Sequence, residues 1–283
     1  MSAAVKKNPK KLAYAIIRIL VIAIIIVFFL LPVYITLLYS FKLPTDIGGR
    51  SLSLPTSFYA GNYLEVITRN DAFTSGVSNS VLCTVPIVVF LTVMCSMASY
   101  ILARNKGRIY NGLYHLFLTG LLVPFQCIML PTYINLRSAG LMNTLTGYVI
   151  VCTGFQIAMS ILVVTDFVKT VPVELEEAAS IDGASPLQIF WKIIFPLMKP
   201  INVTMIVINI LIAWNDFYIS VVVLQSSKKR TLPLAQFVYI GEAGVDIKIA
   251  SAFFMLCMIP MIIVYLFAQK YIVSGIMSGA VKG

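Results

Sequence analysis

Six apolar runs divide this chain, at about Leu12–Tyr39, Val77–Leu102, Leu113–Leu136, Leu145–Phe167, Ile201–Leu224 and Ile249–Tyr271, and they leave few folds open to it. A helix that crosses a bilayer needs roughly 20 apolar residues, and each run is of that order. Backbone that enters hydrocarbon must satisfy its own hydrogen bonds, which only helices and closed barrels do. No strand-like alternation and no low-complexity stretch accompanies the runs. The sequence therefore predicts an all-α polytopic membrane protein of about six transmembrane helices. Hydrophobic residues fill 59% of the 283 positions and charged residues 11%, against about 45–50% and about 25% in soluble domains. A sizeable soluble catalytic domain is excluded.

The charge is lopsided, with 21 Lys and Arg against 11 Asp and Glu. The basic residues sit in short loops between apolar runs rather than on one soluble face, so they read as an orientation signal and not as a nucleic-acid surface. Lys6, Lys7, Lys10 and Lys11 followed by an apolar run imitate a signal peptide, but the run continues to Leu38 without a small-residue cleavage site, and a retained first helix is expected. With that cluster in the cytoplasm, Arg104 to Arg108, the Lys169–Lys199 stretch and the C-terminal tail are cytoplasmic as well, and both termini lie inside. Lys228, Lys229 and Arg230 then face outward, against the usual bias.

The expected organisation is residues 1–76 for the N-terminal tail, first helix and external loop, 77–271 for the membrane core with a cytoplasmic loop at 169–200, and 272–283 for a C-terminal cytoplasmic tail, flexible and rich in small residues from Ser274. Turn formers at Pro44, Thr45, Asp46, Gly48, Gly49 and Pro55 and aromatics at Phe58, Tyr59 and Tyr63 leave the external loop room for one short surface helix. Cys83, Cys95, Cys127, Cys152 and Cys257 fall inside apolar segments without metal-ligand spacing and read as small buried hydrophobes. Pro32, Pro86, Pro124, Pro131 and Pro260 lie in or near the runs and predict bent helices.

The Lys169–Pro200 stretch is the longest cytoplasmic interruption, and four of the 11 acidic residues gather in Glu174–Asp182. Two short helices joined by a tight corner are expected. Pro172 suits a first helical position and Glu174, Glu176 and Glu177 meet the positive end of the helix dipole. Gly183 stops that helix with a left-handed cap, and Ser185-Pro186 opens the next. Val173, Glu177 and Ile181 recur at four-residue spacing beside the small Ala178 and Ala179, a narrow profile that can enter a groove.

Glu177-Ala178-Ala179, three residues, Gly183, nine residues, Ile193, one residue and Phe195-Pro196 resemble the E-A-A loop of permease subunits in bacterial ATP-binding-cassette importers. The family pattern has Leu where this chain has Phe195. Asn79-Ser80, Ala98 to Arg104, Gly140 to Thr144, Trp214-Asn215-Asp216-Phe217, Thr231-Leu232-Pro233 and Gly279 to Gly283 extend the likeness over nearly the whole chain. Together they are similar to the carbohydrate branch of the binding-protein-dependent transport inner-membrane component family, in particular to the G-type permease of maltose importers.

The resemblance implies the type I importer transmembrane fold, with Glu177, Ala178, Ala179, Asp182 and Gly183 coupling to a separate ATPase. The chain has no phosphate-binding loop of the form G-x-x-x-x-G-K-[ST]. It is expected to bind no cofactor itself, with ATP and Mg on the partner, and not to be an enzyme. The implied partners are a second permease of a different chain, two ATPase subunits, an extracellular or periplasmic solute-binding protein and membrane lipid, in a bacterial plasma membrane. The C-terminal tail would reach between the two ATPase subunits.

For the substrate path, Asp216 in the fifth run, with Trp214, Asn215 and Tyr218, offers a stacking ring and hydrogen bonds to a sugar, and Gln126 is a second candidate. A structural polar contact between helices stands equally open for Asp216. His115, the only histidine, needs no proton-relay role at headgroup level. An ion-coupled secondary transporter is the alternative class, but it should show inverted repeats and several intramembrane carboxylates. A membrane-embedded enzyme would need a convergent set of acids, nucleophiles or metal ligands, and isolated acids with one histidine do not supply it.

Overall fold

A computed structural model describes residues 9–43, 45–46, 54–55, 57–69, 71–241 and 246–280. All regular structure among them is helical: α1 (Pro9–Ser40), α2 (Gly61–Arg69), α3 (Asp71–Arg104), α4 (Arg108–Gly120), α5 (Phe125–Ser138), α6 (Leu145–Val168), α7 (Glu174–Ile181), α8 (Pro186–Leu197), α9 (Lys199–Trp214), α10 (Tyr218–Val223), α11 (Leu232–Gly241) and α12 (Ile247–Ala280). Among the described residues, four helices are long and apolar enough to span a bilayer, or up to six spans if the bent pairs α4–α5 and α8–α9 each count as one. Lys6, Lys7, Pro44, Gly48, Gly49 and the last three residues, Val281 to Gly283, lie outside the described residues.

The chain divides into two compact units, Met1–Arg69 with Ala243–Leu256, and Asn70–Glu242 with Cys257–Gly283. In the first, the apolar side chains of α1 from Ile16 to Leu31 are exposed, as on a helix bathed in lipid. The expected surface helix is α2. Its buried Asn62 donates from Nδ2 to the carbonyls of Ser40 and Lys42, both at 2.9 Å, and so caps the end of α1. Tyr63 joins through its hydroxyl, 2.6 Å from Ser40 Oγ, and through its ring against Phe41.

In the second unit α3, α6 and α9 are held together by buried polar bonds as well as by packing. Ser99 Oγ donates to the Ile161 carbonyl at 3.1 Å and Ser96 Oγ to Asn202 Oδ1 at 3.0 Å, while Asn209 Nδ2 donates to Ser160 Oγ at 3.2 Å. Small hydroxyl residues let helices approach closely in a bilayer, where their groups have no water to turn to. Cys83, Cys95 and Cys152 are buried in one apolar cluster with Ile87, Leu91 and Tyr148, as their placement in the apolar runs predicted; Cys127 is exposed. Midway along α3 a π turn spans Leu91–Cys95.

Three expectations need correction. The third run is not one helix: α4 and α5 meet at 103°. Pro124 forces the residue before it away from helical backbone, and it sits extended (ψ 144°) at the start of α5 without a hydrogen to donate. The fifth run also breaks, after Trp214, because Asp216 gathers backbone N–H groups and starts α10. The tail expected to be flexible from Ser274 continues α12 as helix to Ala280.

Candidate functional site: the loop between α6 and α9

The corner of the loop forms as its residues dictate. Gly183 has φ +83°, the left-handed region. The Gly183 N–H donates to Ser180 O at 3.1 Å and the Ala184 N–H to Ala179 O at 3.0 Å, a pair that satisfies the last carbonyls of α7. Ser185 then opens α8 with a reciprocal cap: its hydroxyl accepts from Gln188 N at 3.4 Å and its own N–H donates to Gln188 Oε1 at 2.8 Å, with Pro186 in the first turn. From there Ile189, Phe190, Ile194 and Met198 are buried against Val164 and Val168 of α6. The second limb of the loop is thus part of the hydrophobic core, not a surface helix.

The two faces of α7 differ in chemistry. Outward lie Val173, Glu177, Ala178, Ile181 and Asp182, with Ile181 86% exposed. Their spacing is the stripe read from the sequence. The carboxylates of Glu177 and Asp182 have no hydrogen-bond or ion-pair partner among the described residues. Ala179, counted with the outward group in the sequence, instead turns half-buried onto the core cluster.

Inward lies Glu176, a residue that sequence reasoning did not single out for contact. Its Oε1 accepts from Arg104 Nε at 2.6 Å and its Oε2 from the Tyr100 hydroxyl at 2.8 Å. The same guanidinium donates from Nη2 to the Val171 carbonyl at 2.9 Å, just before α7 begins. The Arg104 and Glu176 side chains are only 14% and 12% exposed, so this charge-assisted set is poorly screened by solvent. The available signal was the i,i+4 spacing of Tyr100 and Arg104 on one face of α3. Nothing local says which of three neighbouring glutamates turns toward it.

At the other end of α3, motifs far apart in sequence form a polar knot. Asn79 Nδ2 donates to the carbonyls of Lys228 and Arg230 at 2.9 and 3.0 Å, and Ser80 Oγ accepts from Leu232 N at 2.8 Å. Asn143, at φ +55°, accepts on Oδ1 from the N–H groups of Gln225 and Ser226. Lys229 Nζ donates to the Asn143 carbonyl at 2.7 Å. The basic triplet that runs against the orientation bias is therefore built into this knot. Gly76 packs closely beside it: a Cβ there would meet Leu232 Cα at 3.2 Å, tighter than an ordinary contact.

The proposed substrate-path residues do not converge. Asp216 accepts from the N–H groups of Ile219 and Ser220 and from the Tyr148 hydroxyl at 3.1 Å, which makes it a helix cap and interhelical contact. Trp214 is buried, Asn215 turns its amide back to Leu211 O, and Tyr218 and Gln126 are exposed. An apolar cavity of about 470 Å³ at the α4–α5 bend, lined by Phe117, Gly120, Thr132, Gly154 and Phe155 among others, contains none of the five. His115 Nδ1 pairs with the Asn111 carbonyl of its own helix at 2.6 Å.

Comparison with known proteins gives a consistent result. The family described as binding-protein-dependent transport system inner membrane component matches residues 1–278. The multiple sugar-binding transport system permease protein MsmG of Streptococcus mutans is 35% identical over 257 residues, covering 89% of this chain and 92% of its own. A putative ABC transporter permease protein of Caldicellulosiruptor is 33% identical over 253 residues, covering 89% and 91%. The melibiose/raffinose/stachyose import permease protein MelC of Bacillus subtilis is 32% identical over 254 residues, again covering 89% and 91%. Among solved structures, a chain of a bacterial ABC transporter involved in import of the acidic polysaccharide alginate superposes with a TM-score of 0.85 at 23% identity, over 95% of this chain and 99% of that one, and so shares its fold.

Proposed function

The chain belongs to the family of binding-protein-dependent transport system inner membrane components, and from that premise we propose that it is one half of the translocation path of an ATP-driven importer for carbohydrates, most simply oligosaccharides. The sugar class rests on relatives named for sugar-binding transport and for import of melibiose, raffinose and stachyose. A second permease of a different chain completes the path, two copies of a separate ATPase hold ATP and Mg, and an external solute-binding protein delivers the substrate. This chain binds no cofactor of its own. Both its termini face the cytoplasm of a bacterial plasma membrane.

The observation that carries the coupling role is the outward face of α7. Glu177 and Asp182 carry charge without a partner among the described residues, Ala178 keeps the profile narrow, and Ile181 is 86% exposed. An exposed apolar residue between two unpaired acids fits a groove with a basic wall, where a charge-assisted bond strengthens on desolvation. ATP-driven closure of that partner moves α7, and with it the helices of the second unit, between outward-open and inward-open arrangements. The test is purification of the intact assembly from native membranes in mild detergent, followed by oligosaccharide uptake into vesicles. ATPase and a second permease co-purify, and uptake stops on ATP depletion. Uptake that survives ATP depletion and is abolished by collapsing an ion gradient would return the chain to the secondary transporters.

A further inference from the structure

We infer that Arg104, Tyr100 and Glu176 form a clamp that fastens the coupling helix α7 to the end of the membrane-spanning helix α3, so that α3, and not only the flanking α6 and α8, receives the motion of the ATPase. The inference rests on the coupling role proposed for α7. Chain connectivity alone gives α7 two neighbours. It leaves α6 through Lys169–Val173 and enters α8 through Asp182–Ser185, and the apolar packing of the small Ala179 on the core resists tilting without fixing a direction.

The clamp removes that freedom. Arg104 grips two points 5 residues apart in sequence, the Val171 carbonyl before α7 and the Glu176 carboxylate in its first turns, and Tyr100 takes the second carboxylate oxygen. Both carboxylate oxygens of Glu176 are thereby used from one face of one helix. The guanidinium fork fixes direction as well as distance, which a lysine ammonium does not. Tyr100 also packs its ring on Phe190 of α8, at 5.6 Å between centroids, so the clamp is continuous with the buried limb of the loop. Glu177 and Ile181 point the other way, toward the partner. A pull on the outer face is thus opposed by an anchor on the inner face, and the anchor is α3. These three are positioning residues, acting through α7.

The experiment uses the complete transporter in proteoliposomes and reads sugar uptake per ATP hydrolysed. Arg104→Ala, Glu176→Gln and the mild Tyr100→Phe each retain the ATPase copies on purification. The first two lower uptake per ATP by about fivefold or more, the lower end of ordinary coupling between sites, and Tyr100→Phe lowers it less. Arg104→Lys, which keeps the charge but lacks the fork that reaches Glu176 and the Val171 carbonyl together, recovers part of the loss in uptake per ATP, a ratio that loss of folded protein alone would not change. Uptake per ATP at the natural value in the single variants, with ATPase bound, would overturn the clamp and leave the coupling role standing. Absence of ATPase from the unsubstituted assembly would remove both.

Discussion

The two ends of α3 are finished in opposite ways. At the Asn79 end the polar groups close on one another: Asn79, Ser80, Asn143 and Lys229 spend their side chains on backbone groups of this same chain. At the Arg104 end only half of the chemistry is closed. Glu176 is tied inward while Glu177, Asp182 and Ile181 are left outward. A knot whose bonds are internal resists deformation, whereas a helix fastened on one face and open on the other is suited to being gripped. The same membrane helix therefore joins a fixed end to a driven end.

The largest effect should follow from reversing charge on the open face. Glu177→Lys is expected to lower ATP-driven uptake by about tenfold or more, within the range of coupling energies between sites, with the melting temperature of the purified chain unchanged. If melting falls in step with uptake, α7 is as closed as the knot and the contrast is lost. Next comes Asn79→Ala, which strips a shared donor from two carbonyls and is expected to destabilise by about 1–3 kcal/mol, read as an earlier thermal transition in detergent, while uptake per ATP in the folded fraction stays at its natural value.

A smaller pair of substitutions separates strain from docking at the corner. A Cβ at Gly183 would meet nothing within 4 Å among the described residues, so the penalty there is that of positive φ, about 1–2 kcal/mol for a residue with a side chain. Gly183→Val should show that loss in melting, and Gly183→Asn, which tolerates the left-handed region, should show little. Loss of uptake in Gly183→Asn without loss of stability would locate the partner against that corner. The smallest effect is expected at Asp216. Asp216→Asn keeps one acceptor oxygen, enough for Ser220 and Tyr148 but not for Ile219 as well, and should leave the apparent KM for sugar unchanged, while Asp216→Ala removes the cap at about 1 kcal/mol. A KM raised severalfold by the asparagine would restore a sugar contact.

Much of this architecture was legible because a bilayer admits so few solutions. Long apolar runs announce helices, and Pro186, Ser185 and Gly183 announce their own starts and stops. The break at Asp216 had a local cause, its bonds to the N–H groups of Ile219 and Ser220, masked by the apolar run around it, whereas its contact with Tyr148, 68 residues away, belongs to the folded chain alone. The bend at Pro124 was signalled in kind but not in size, since proline permits either a kink or a full break. In the loop, the outward stripe through Glu177 and Ile181 followed from helical period alone. The inward role of Glu176 did not, because it requires knowing that Arg104, 72 residues earlier, arrives beside it. The matched motifs around Asn79, Asn143 and Thr231 were visible as words, but their meeting in one knot was a property of the folded chain.

The π turn at Leu91–Cys95 lies between the two ends of α3. Such a turn accommodates one extra residue in a helix, and one residue corresponds to about 100° of rotation about the helix axis. It therefore sets the phase between Asn79 and Arg104. Ser96 and Ser99, just beyond the turn, face α9 and α6 in the register this rotation produces. A chain shortened by one residue within the turn would keep both halves helical and yet swing Tyr100 and Arg104 away from Glu176, like a shaft keyed one tooth out of time.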